Sequence, residues 1–147
     1  MLERLPFSFI ALLLVFLSAS CQAELRIEIT RGVDNAIPVA VVPFEWRGKR
    51  KLPAKVGQVI AADLGLSGRF SALPVKQMLS LPNESSQILP RDWAMLGVDY
   101  IVVGYLEPNE VGVRLNFELY DVIRRNVVAG HAIDGLVGDL RDMAHYV

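Results

Sequence analysis

Residues 99–120 read DYIVVGYLEPNEVGVRLNFELY, and this stretch decides the fold. Asp99 to Leu106 is dominated by β-branched and aromatic side chains, the pattern of a strand buried on both faces. Glu107-Pro108-Asn109-Glu110 is turn chemistry. Val111, Val113, Leu115, Phe117 and Leu119 then take every odd position, and Gly112, Arg114, Asn116, Glu118 and Tyr120 the even ones. That period of two predicts a strand with one dry face and one wet face. The pair forms an antiparallel hairpin.

Working outward toward the carboxyl end, Arg124-Arg125-Asn126 marks another turn and Val127–Ile133 returns as a strand. Leu136, Leu140, Met143, Ala144 and Val147 recur at helical spacing, so Leu136–Val147 is expected to be a helix. Toward the amino end, Pro90–Leu96 reads as a short helix carrying Trp93 and stopped by Gly97. Residues 74–89 are rich in Pro, Ser, Asn and Gln and read as loop, after a short strand at Phe70–Leu73. Ala54–Leu66 has the three-and-four spacing of an amphipathic helix, with Pro53 suited to its first turn and Gly68 to its end. Glu45–Pro53 is a loop, and the apolar run Ile37–Phe44 is a buried strand with its prolines near the ends. Before it, Leu25, Ile27 and Ile29 alternate with Arg26, Glu28 and Thr30 as a half-buried strand, broken by Gly32 and Asp34-Asn35. The sum is an α/β domain: a mixed β-sheet of about five strands packed with two main α-helices.

Composition narrows the function. The chain has 147 residues, 52% apolar, and 15 basic against 16 acidic side chains. This suits one folded domain and gives no global cationic field for nucleic acid. One cysteine, Cys21, excludes an internal disulfide and a cysteine-built zinc site, and two histidines offer little for a metal. Neither a metal nor another cofactor is expected.

The apolar excess is concentrated at the start, MLERLPFSFIALLLVFLSASCQAE. Phe7–Leu17 is too short to span a bilayer, and small residues follow it up to Ala23. This is the layout of a secretory signal peptide over residues 1–23, cleaved between Ala23 and Glu24. The mature chain then starts at Glu24 and keeps no transmembrane candidate. A lipoprotein signal at Cys21 is the lesser alternative, because Ser18 stands where an apolar residue belongs.

Catalytic patterns are absent: no nucleophile elbow, no phosphate-binding glycine loop and no dinucleotide fingerprint. His131 and His145 read as ordinary histidines, and Asp121, Asp134, Asp139 and Asp142 fit turns and a helix start. No catalytic residue is expected. The denser signal is basic: Arg47, Lys49, Arg50, Lys51 and Lys55 beside Trp46. The alternative function is therefore a small secreted anion- or nucleotide-binding module using loop 46–55. Asn83-Glu84-Ser85 also matches a glycosylation sequon.

The start of the mature chain, ELRIEITRGVDNAIPVAVVPFEW, resembles the opening of the TolB family of the bacterial Tol–Pal system. Arg31-Gly32-Val33-Asp34 with Pro38 and Val42-Pro43-Phe44 carries the resemblance best. Further matches are Val59–Leu64, Ser67-Gly68-Arg69-Phe70, Trp93 with Leu96–Tyr100, Val102-Val103-Gly104, and Leu140-Arg141 through Ala144-His145. The resemblance implies a non-enzymatic periplasmic protein that supports outer-membrane integrity and cell division. It also implies that residues 24–147 are the amino-terminal α/β domain, ending inside its last helix. Family members continue into a β-propeller, absent from this chain, through which Pal and colicins are bound. The site for TolA maps onto Glu24, Leu25, Arg26, Ile27, Glu28, Ile29, Thr30, Arg31, Gly32, Val33, Asp34 and Asn35, a segment that switches between docked and released forms.

Such a switch is physically reasonable. Burying Leu25, Ile27 and Ile29 contributes ~1.5–3 kcal/mol each. Ordering the backbone of about seven residues costs ~1–2 kcal/mol apiece, and ladder hydrogen bonds return ~1 kcal/mol each. The terms nearly cancel, so a partner that binds only the released form can tip the balance. Once free, the alternating segment suits strand addition to a partner's sheet edge.

Overall fold

The computed structural model describes residues 36–49, 51 and 55–147. The expected leader, its cleavage point at Ala23–Glu24 and the segment Glu24–Asn35 lie outside these residues, as do Arg50, Pro53 and Ala54.

Among the described residues six strands form one mixed sheet. They are β1 (Ile37–Val41), β2 (Glu45–Trp46), β3 (Phe70–Ala72), β4 (Tyr100–Pro108), β5 (Val113–Asp121) and β6 (Asn126–Gly135). The main path runs β3-β1-β4-β5-β6, with β2 paired to β4. β1 lies parallel to both β3 and β4, placing Val39 beside Ala72 and Tyr100. β4 and β5 pair antiparallel from Tyr100↔Asp121 to Pro108↔Val113, the hairpin that the alternation predicts. β5 and β6 continue antiparallel, with a register shift at Leu119/Tyr120.

Among the described residues three helices pack with the sheet: α1 (Val56–Leu66), α2 (Pro90–Met95) and α3 (Leu140–His145). Alternation along β1 divides the core into two layers. Val39 and Val41 join Val56 and Ile60 of α1, Leu115 of β5, and Leu140 and Met143 of α3. Ala40 and Val42 join Ile88, Trp93 of α2, Ile101 and Val103 on the opposite face. The helices stop where the sequence has glycine, with Gly68 at φ +68° and Gly97 at φ +71°, conformations that cost side-chain-bearing residues energy. Gly104 serves a different need. A Cβ there would collide with the Phe44 ring and the Asn116 carbonyl, so the missing side chain lets Phe44 lie on the sheet.

Three expectations need correction. Glu45 and Trp46, expected in a loop, pair with Tyr105 and Leu106 and add the sixth strand. Val111, expected on a dry strand face, is exposed in the turn, because the Asn109 side chain accepts hydrogen bonds from the Val111 and Gly112 N–H groups. The final helix starts at Leu140, not Leu136. Leu136 is extended and Val137–Asp139 forms a 3-10 turn, in keeping with the poor helix propensity of Gly138.

Candidate functional site

The basic loop does not act as one cluster. Arg47 donates to Glu45 Oε2 at 3.0 Å and to Glu84 Oε1 at 2.7 Å. Its guanidinium carbon lies 3.5 Å from the centre of the Tyr105 ring. The two carboxylates, Glu84 foremost, push its pKa further above the ordinary arginine range. Arg47 is thus committed to holding the 83–87 turn against the sheet. The same turn is fixed a second time, where the Ser85 N–H donates to Glu118 Oε2 at 2.8 Å. Lys49, Lys51 and Lys55 are exposed. Trp46 packs at the edge of the α1-side core and its ring covers Gly48, so the indole is a wall of the fold rather than an open stacking platform. Asn83, the sequon residue, is half-buried, and its backbone N–H donates to Gln87 Oε1 at 2.8 Å.

The remaining candidates are structural. The His131 ring packs 5.9 Å from Phe117 between adjacent strands. His145 Nδ1 meets Asp63 Oδ2 at 2.5 Å and links α3 to α1. Asp121 is buried at the β5–β6 turn, accepting from the Arg124 N–H at 2.7 Å and from Arg124 Nη1 at 2.9 Å. That backbone N–H is the main reason its carboxyl titrates below the usual range. Asp134 receives Arg114 through Nε at 2.7 Å and Nη2 at 2.8 Å, and Asn109 Nδ2 at 2.7 Å. Arg114 accordingly lowers its pKa most. Carboxylates satisfied and held ionised in this way make poor proton donors. Asp139 precedes α3 and Asp142 lies in its first turn. Among the described residues no three His, Cys, Asp or Glu side chains gather as a metal site, and no helix is long and apolar enough to cross a membrane. The pairings of Arg47 with Glu84 and of His145 with Asp63 carry no local sequence signal, since 37 and 82 positions separate the partners.

The model of the TolB amino-terminal domain family matches residues 25–128, from the first residue of the alternating segment through β5 and into β6. This chain belongs to that family. The Tol-Pal system protein TolB of Marinomonas sp. is 42% identical over 137 residues, which is 91% of this chain and 31% of the relative. TolB of Pseudomonas syringae pv. syringae is 37% identical over 142 residues, 96% of this chain and 33% of the relative. The chain therefore spans about a third of the length of these curated TolB proteins. Among solved structures, TolB from Acinetobacter baumannii superposes with a TM-score of 0.63 at 25% identity, covering 77% of this chain and 26% of that one. The LpoB C-terminal domain from Salmonella enterica shares the fold at a TM-score of 0.52 and 13% identity, covering 67% and 81%. The mixed sheet described above is that of this family's amino-terminal domain, and the curated relatives that the chain matches are Tol-Pal system proteins.

Proposed function

We propose that this TolB-family domain is a non-enzymatic periplasmic adaptor whose segment Glu24–Asn35 binds TolA by strand exchange, in support of outer-membrane integrity and cell division. In this reading residues 1–23 are an export signal cleaved between Ala23 and Glu24. Residues 24–147 correspond to the family's amino-terminal domain, and Pal and colicins meet the propeller that family members carry. The observation that carries the reading is the family match, which begins at Leu25 and so takes in the whole alternating segment. In sequence the segment leads into Ile37, the first residue of β1, which lies between β3 and β4 in the sheet.

Calorimetry of TolA against the chain with and without Glu24–Asn35 tests the proposal. Loss of binding on deletion is expected; an unchanged affinity overturns it. The basic-loop alternative loses ground because Arg47 is spent on Glu45 and Glu84.

A further inference from the structure

We infer that the crevice at the carboxyl ends of β1 and β3 binds a small amphiphilic anion, a single aliphatic chain ending in a carboxylate. The inference is independent of the amino-terminal reading and uses none of its residues.

The topology makes the crevice. After β1 the chain passes to α1 on one face of the sheet, and after β3 it passes to α2 on the other. Neighbouring parallel strands whose exits diverge form a switch point, the place where open α/β sheets take ligands. Here the cavity measures about 630 Å³, within the span of roughly 300–1,000 Å³ usual for small-molecule sites. Its walls are Val41, Phe44 and Leu106 from the sheet, Ala61 from α1 and Leu73 from the end of β3. Lys51 and Lys55 stand at the same crevice.

The charges choose the ligand. Both lysines are exposed, and among the described residues no carboxylate pairs with either. The nearby guanidinium of Arg47 is neutralised by Glu45 and Glu84 and draws a ligand no further. The free charge beside this crevice is therefore positive, while its walls are apolar. An inorganic anion would leave those walls in water, and a neutral hydrocarbon would gain nothing from the ammonium groups. A nucleotide base meets a Trp46 ring already covered by Gly48. An aliphatic carboxylate satisfies both parts at once.

The test is titration of the full chain with decanoate below its micellar concentration, followed by backbone amide shifts. Shifts at Gly57, Ala61, Leu73 and Leu106 are expected, with decanol binding about fivefold or more weakly than decanoate. The surface double variant Lys51→Gln/Lys55→Gln should erase that difference, and Ala61→Trp, which fills the crevice, should abolish both interactions. The lysine variant keeps the test decisive even where Ala61→Trp fails to fold. The inference is overturned by decanol matching decanoate, by indifference to the lysine substitutions, or by shifts that map elsewhere. Inorganic phosphate producing the same shifts at lower concentration overturns it in favour of a simple anion site.

Discussion

Trp93 is among the largest side chains sealed in the interior, and its indole N–H meets no acceptor among the described residues. Its worth lies in volume rather than in hydrogen bonding. Trp93→Ala should cost roughly 3–5 kcal/mol. Trp93→Phe should cost well under half of that, because no hydrogen bond is lost with the ring nitrogen; urea unfolding of the two variants measures the contrast. Gly104 makes the opposite demand. A methyl group there meets the Phe44 ring and the Asn116 carbonyl, so Gly104→Ala should lose about 1–3 kcal/mol by the same assay. Asp121 sets a pH dependence. Its carboxyl pKa is lower in the folded chain than in the unfolded one, chiefly through the Arg124 N–H. The unfolded state therefore takes up a proton first as the pH falls. The stabilisation is complete above the ordinary aspartate range and disappears as acid titrates the folded carboxylate. Asp121→Asn should flatten that acid limb in thermal melts taken between neutral pH and pH ~2.

At the scale of elements, α3 is held mainly by buried apolar area. Leu140 is 1% exposed in the layer shared with α1, and Leu140→Ala should cost about 2–5 kcal/mol. The half-exposed His145–Asp63 link between the same helices should be worth no more than about 1 kcal/mol. A denaturant series on Leu140→Ala and His145→Ala separates the two. The elements also show what the sequence could reveal. The β4–β5 hairpin was legible because its pattern is local: alternation on β5 and a turn of Pro108 and Asn109. Gly68 and Gly97 announced two helix ends for the same reason. β2 was not legible, because its two residues owe their strand geometry to Tyr105 and Leu106, some sixty positions away. The fate of Arg47 was hidden likewise, since Glu84 reaches it only after the 83–87 turn has folded onto the sheet. The proposed TolA segment, Glu24–Asn35, rests on family resemblance, with periodicity supplying only the picture of an amphipathic strand, and it lies outside the described residues.

At the scale of the molecule, the two packed layers, among the described residues, draw on residues from Val39 onward. Because the gain from burying Leu25, Ile27 and Ile29 nearly cancels the cost of ordering the segment, removing Glu24–Asn35 should leave the thermal midpoint within a few degrees of the parent while TolA binding is lost. Calorimetric scans beside the binding titration check both halves of that statement.

The position of β1 has a consequence for how the domain is made. A chain synthesised amino end first produces the sheet's inner strand early, yet one flank of that strand waits for β4, which begins only at Tyr100. Until then Val39–Val42, all buried in the finished fold, have no lasting cover. The adjacent hairpin closes quickly from neighbouring residues, whereas β1 must find its slot across a long loop. The last event in maturation is therefore expected to be the threading of the oldest strand between two younger ones, and a holding chaperone would find its best grip there.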